Sequence, residues 1–254
     1  MKLYYKTEGE GRPLIILHGL FGTADNWVTL AKRFGQHRKV FLIDQRNHGQ
    51  SPHDPDFTYD AMVNDVRLFL MAHDIIKPDI LGHSMGGKVA MFFAVKYPDL
   101  MNTLMVIDIG PKFYPVHHDV ILEGLKDIEI DKISKRQEAD DELAEYVESD
   151  SVRQFLLKNL KRTPTGYEWK MNLKVIYDNI ANVGKGLTAD DSFNHRTLFV
   201  RGSLSQYILD EDLDGIKKHF PNSTLTTIHG ASHWVHYEKP DELSLVIEQF
   251  LLSK

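Results

Sequence analysis

Short runs of consecutive apolar residues punctuate the first 110 positions: Leu14-Ile15-Ile16-Leu17, Val40-Phe41-Leu42-Ile43, Ile80-Leu81 and Leu104-Met105-Val106-Ile107. Runs without polar alternation mark strands buried on both faces, as in a parallel sheet covered by helices. Residues 2–8 alternate enough for an edge strand, and the Gly9-Glu10-Gly11-Arg12-Pro13 stretch predicts a tight turn. Helices are predicted over roughly 27–34, with Asn26 as cap, and over 58–73, where Met62, Val66, Phe69 and Leu70 fall at helical spacing. Strand signals return at Thr197–Gly202 and Leu225–Ile228, and an amphipathic helix closes the chain from about Pro240 to Leu252. Strands alternating with helices predict a mostly parallel sheet flanked by helices.

From about Lys112 to Asp191 the pattern changes. No apolar strand run occurs there, only helix-like segments with frequent charge. In Glu138–Asp150, Leu143, Tyr146 and Val147 lie three or four apart among many acids, which predicts a solvated amphipathic helix. Residues 1–111 and 192–254 are therefore expected to form an α/β core, and 112–191 a helical cap inserted over the sheet.

Composition narrows the function. The net charge of −6 argues against nucleic acid as a partner. Without cysteine there can be no disulfide or thiolate metal site, and a cytoplasmic location is expected. The N-terminus lacks the apolar core of a signal peptide, and no run approaches the roughly 20 apolar residues that span a bilayer.

Chemistry gathers around Gly82-His83-Ser84-Met85-Gly86, read as strand, sharp turn, helix. Glycines two residues either side of a serine allow a strained turn that exposes its hydroxyl, the G-x-S-x-G nucleophile elbow. A serine hydroxyl needs a base. Of 13 histidines, His233 follows the last strand, where loops of a parallel sheet converge on a site, and comes after the serine in chain order. His236 lies three residues on, but a metal pair would lack a third ligand nearby. The acid departs from the common arrangement. The usual slot after the Thr197–Gly202 strand falls at or near Ser205, which cannot stabilise an imidazolium. Asp108 ends the strand after the elbow unit and is the favoured acid; Asp210 and a Ser84–His233 dyad are the alternatives. An oxyanion hole calls for the backbone N–H of Met85 and a second N–H from His18–Phe21, with Leu20 the first choice and Phe21 the alternative. His18, and the Asp44, Arg46 and His48 group, read as loop-bracing residues. Phe21, Trp27 and Trp234 are candidate substrate contacts, and Phe113, Tyr114, Phe155 and Trp169 could add to an apolar acyl pocket.

The motifs His18-Gly19-Leu20-Phe21-Gly22, Asp44-Gln45-Arg46-Asn47-His48-Gly49-Gln50-Ser51-Pro52, Gly82–Lys88, Ile107-Asp108-Ile109-Gly110-Pro111 and Gly230–Pro240 occur in this order along essentially the whole chain. Together they resemble the α/β-hydrolase superfamily, and within it the YbfF-type bacterial esterases and their abhydrolase-domain relatives. The resemblance implies an α/β-hydrolase fold with a helical cap, no cofactor, hydrolysis of short acyl esters and sometimes acyl thioesters, and an acid placed as Asp108 is. A small-molecule ester or thioester is the expected partner, with neither nucleic acid nor membrane, and the chain is expected as a monomer or homodimer. Competing expectations are an acyl thioesterase, a C–C bond hydrolase and a non-catalytic ligand receptor on the same scaffold.

Overall fold

The computed structural model describes residues 1–115 and 119–253. The apolar runs become strands: β1 (Tyr5–Glu8), β2 (Arg12–Leu17), β3 (Arg38–Ile43), β4 (Asp79–His83) and β5 (Leu104–Ile107). Among them lie helices α1 (Val28–Phe34), α2 (Tyr59–Ala72) and α3 (Met85–Lys96). After β5 come α4 (Asp119–Asp127), α5 (Arg136–Ala144), α6 (Asp150–Leu157), the strands β6 (Leu160–Thr163) and β7 (Gly166–Trp169), and α7 (Leu173–Asp178). The chain then returns to the sheet with β8 (Thr197–Gly202), α8 (Leu213–His219) and β9 (Ser223–Ile228), and ends with α9 (Val235–Glu238) and α10 (Pro240–Leu252).

Seven strands form one sheet in the order β1-β3-β2-β4-β5-β8-β9, parallel except for β1, which pairs antiparallel with β3. Successive side chains of a strand point to opposite faces, so a run apolar at every position supplies two cores at once. In β2, Ile15 and Leu17 join the layer that holds α2 and α3, while Leu14 and Ile16 face Leu30, Phe34, Leu243 and Ile247 of α1 and α10. The α2–α3 layer continues into the insertion through Leu125, Leu143, Leu156 and Ile176, so the two share apolar packing.

Two local expectations are corrected. The 112–191 stretch is not helical throughout: β6 and β7 make an antiparallel hairpin with Leu160 opposite Trp169. Its strands carry Lys161, Arg162 and Glu168 on a half-exposed ribbon, so no apolar run announces them. Asn26 is not the cap of α1. Thr23 caps a 3₁₀ turn over Ala24–Trp27, and the Asn26 side chain reaches back to accept the Thr23 N–H at 2.7 Å.

Candidate active site

The loops after β2, β3, β4, β5, β8 and β9 meet at one edge of the sheet, the edge where parallel α/β folds place ligands. Ser84 stands between β4 and α3 at φ 51°, ψ −120°. A Cβ on Gly82 would lie 2.2 Å from the Gly86 carbonyl oxygen, and one on Gly86 would lie 2.3 Å from that of Leu17. Only glycine fits either position, which is the physical reason for the motif's spacing.

His233, on the loop between β9 and α9, has Nε2 at 3.0 Å from Ser84 Oγ and Nδ1 at 2.8 Å from Asp108 Oδ2. The carboxylate fixes the tautomer: Nδ1–H donates to it, which leaves Nε2 to accept from the hydroxyl. Asp108 is fully buried at the end of β5, with φ 52°. Its Oδ1 accepts the Gly202 N–H at 3.0 Å, and its Oδ2 also accepts the Ser205 hydroxyl. Ser205, at the slot where an acid is common, thus points to the same place as an acid there would and instead donates to the acid on the neighbouring strand. Asp210 lies away from this cluster, exposed and paired with Arg201 at 2.7 Å.

His233 is held on further sides. Tyr207 stacks on its ring at 3.9 Å and 17°, and His83 Nε2–H donates to its carbonyl at 2.9 Å. Tyr114 Oη accepts the Gly110 N–H at 2.9 Å and donates to the Tyr207 carbonyl. Burial, with the Asp108 charge added, pushes the Tyr207 hydroxyl up to about 12, so it stays protonated.

Leu20, Ser84 and Met85 line one small cavity with Ile109, Tyr114 and Ile180. Neither the Leu20 nor the Met85 N–H donates to another group among the described residues. Phe21 does not fit the alternative oxyanion role, because its N–H points to His48 Nε2 at 3.2 Å. Three histidines brace this edge. His18 Nε2 accepts the Gln45 N–H at 3.0 Å while Nδ1 contacts the Gly19 carbonyl, and His48 Nδ1 contacts the Arg46 carbonyl at 2.9 Å. Burial lowers His18 to about 4 and His48 to about 3, and drives His83 well below the usual histidine range, so all three are neutral near pH 7.

The candidate substrate contacts fare differently. Trp27 is 1% exposed and stacks on His236 at 4.6 Å, inside the core layer beneath α1, and does not line the Ser84 cavity. The Phe21 side chain is likewise buried away from the cavity. Trp234 borders a separate, open cleft with Phe155, Lys158 and His236. Of the described aromatics of the insertion, Tyr114 alone lines the Ser84 cavity; Phe113 is largely exposed.

Sequence reading missed Lys88. One helical turn after Ser84, it lines the same cavity at 1% exposure, donates to the Lys112 carbonyl and sits 4.9 Å from the Tyr114 ring. Burial, reinforced by the nearby Lys112 charge, lowers it to about 7. Its place in the GHSMGGK motif was visible, but spacing alone does not separate a buried lysine from a solvated one.

A sheet in this order with a serine elbow at its centre defines an α/β hydrolase, and a family model described as the alpha/beta hydrolase fold matches residues 12–133. Curated relatives span nearly the whole chain. A zebrafish (Danio rerio) protein named sn-1-specific diacylglycerol lipase ABHD11 is 39% identical over 94% of this chain and 78% of its own length. Esterase YbfF of Escherichia coli is 35% identical over 94% of this chain and 92% of its own. A solved structure titled "Marine microorganism esterase" superposes with TM-score 0.96 at 40% identity, covering 98% of this chain and 99% of that one. The chain belongs to the YbfF-type esterase family of α/β hydrolases, and its relatives support a hydrolase of the esterase and lipase kind.

Proposed function

We propose that the protein is a serine carboxylesterase that cleaves small to medium acyl esters through an acyl-Ser84 intermediate. The observation that carries this reading is the continuous hydrogen-bonded line from Ser84 Oγ through both nitrogens of His233 to Asp108. His233 Nε2 takes the serine proton as Oγ attacks the ester carbonyl. The Leu20 and Met85 amides hold the tetrahedral oxyanion, and Asp108 stabilises the imidazolium. His233 returns the proton to the leaving alcohol. Water, deprotonated by the same imidazole, then attacks the acyl-enzyme and releases the acid.

The mostly apolar cavity lining supports an acyl chain as the group bound there, with residues 112–191 acting as a cap above it. The names of the relatives, an esterase and a diacylglycerol lipase, agree with ester hydrolysis. The deciding experiment compares wild type and Ser84→Ala on chromogenic esters of increasing acyl length. Wild type should turn over the short members fastest, and Ser84→Ala should lose on the order of 10⁴-fold or more in kcat with its melting temperature kept. Turnover by Ser84→Ala near the wild-type rate would overturn the serine mechanism. A folded wild type inert on every ester would redirect the search to thioesters, C–C substrates or a receptor role.

A further inference from the structure

The loop that carries the Leu20 amide is gripped at the next residue by two different parts of the molecule. Phe21 sits at φ 61°, a conformation that a bulky residue keeps only when its surroundings enforce it. Its N–H donates to His48 Nε2 at 3.2 Å. Its carbonyl accepts from Asn159 Nδ2 at 2.8 Å, and Asn159 belongs to the insertion, between α6 and β6. The second hydrogen of that amide goes to the Leu156 carbonyl at 3.1 Å. With two carbonyls as neighbours, the amide orientation is fixed by chemistry. Asn159 is 1% exposed, and its Oδ1 is buried without a partner. An apolar residue of the same size would avoid that unsatisfied oxygen, so the two donated bonds are what asparagine adds here.

The grip on the N–H side also leads back to the insertion. Asn172, just before α7, donates its N–H to the Asn47 carbonyl at 2.9 Å and its Nδ2 to Asn47 Oδ1 at 3.2 Å. Asn47, at φ 64°, is the residue before His48. Both polar atoms of Phe21 are thereby tied to residues 112–191, one directly and one through the loop after β3.

We propose that Asn159 is a positioning residue for the oxyanion hole, setting the Leu20 N–H through the Phe21 carbonyl, so that the hole is complete only with the insertion seated. The proposal rests on the esterase reading above and on Leu20 as an oxyanion donor. An insertion that lifted away would carry the Phe21 peptide with it or release it, and either would misaim the neighbouring amide.

The test uses Asn159→Leu, which keeps the volume and removes both donors. Kinetics on one short ester are compared with inhibition by a trifluoromethyl ketone, whose serine adduct places an oxyanion in the hole, and by the matching methyl ketone, which fills the cavity without one. The expected result is a fall in kcat of about 10- to 100-fold with KM within about twofold, the scale of a misplaced catalytic group. Trifluoromethyl ketone affinity should drop by a similar factor and methyl ketone affinity should stay. Unchanged kcat, or a fall in kcat without loss of trifluoromethyl ketone affinity, would overturn the proposal. If Asn159→Leu does not fold, Asn159→Ser, too short to reach Phe21, carries the same readouts. A wild type that neither hydrolyses the ester nor binds the trifluoromethyl ketone would instead sink the esterase reading itself.

Discussion

The catalytic edge of the sheet and the inserted 112–191 stretch are held by opposite means. Phe21, Asn47, Ser84 and Asp108 all have positive φ, and they lie just beyond β2, β3, β4 and β5 respectively. Among the described residues of the insertion only Gly166 does, and glycine bears no penalty there. Strained non-glycine residues cost roughly 1–3 kcal/mol each and persist only where the surroundings over-determine them. Strands buried on both faces supply that surplus at the edge. The insertion relies on amphipathic helices and on polar ties such as Arg153, which pairs with Asp140 at 2.8 Å and also donates to the Val147 and Glu148 carbonyls. Positional accuracy is thus concentrated where bonds would be made and broken, and the insertion is left as the more alterable part.

The largest break in this contrast should come from the strained acid. Asp108→Asn should lower kcat by about 10³–10⁴-fold, because the amide no longer enforces the His233 tautomer. Ser205→Ala, which removes one charge-assisted donor from that carboxylate, should cost about tenfold. Asp210→Asn should stay within about twofold, because its carboxylate is exposed and pairs with Arg201 rather than with His233. Steady-state kinetics on one ester rank the three, and a larger loss from Asp210→Asn than from Asp108→Asn would move the acid to the other strand.

A second break uses pH. His18 and His48 at the edge, and His236 beneath it, are buried and neutral, with pKa values lowered by burial to about 4, 3 and 3. Between those values and about 6.5 the unfolded chain binds more protons than the folded one. Stability is therefore full above about 6.5 and lost as pH falls toward the folded values. Between pH 7.5 and 5.5, where most carboxylates stay ionised, the loss should be roughly 1 kcal/mol per histidine, read as a falling melting temperature. His48→Gln should flatten that slope; an equally steep profile would show that His48 contributes nothing to it.

The smallest effect sharpens the comparison away from the site. Asp74, exposed in the turn after α2, also has positive φ, at 51°. Asp74→Gly should leave kcat unchanged and stabilise the protein by at most about 1 kcal/mol, measured by denaturant unfolding. A destabilisation would mean that αL strain at this turn is already relieved locally.

The fold was legible because its central strands carry continuous apolar runs, a pattern that follows directly from burial on both faces. The elbow was legible for a local steric reason, the Gly82 and Gly86 clashes. The nearness of Asp108 to His233 could be anticipated from strand ends and chain order. The hairpin at 160–169 could not, because its strands are polar ribbons without alternation. Trp27 misled because an aromatic near a loop has the same sequence signature whether it faces a ligand or stacks on a buried His236. The Ser205 donation and the Asn159 tie join residues 97 and 138 positions apart in sequence, the Tyr207 stacking holds two rings together across loops, and no local periodicity encodes them.

The hydrogen bond between Ser205 and Asp108 has an evolutionary consequence. Two adjacent parallel strands, β5 and β8, end side by side at the same sheet edge, so a carboxylate rooted on either can reach one imidazole. A lineage could relocate its acid by passing through an intermediate that carries both, and later lose the older one, without moving the histidine. Homologues aligned column by column would then look as though one had lost an essential group and another had gained a superfluous one. Matching them by where the carboxylate oxygen lies, rather than by which column supplies it, would recover the common ancestry of the site.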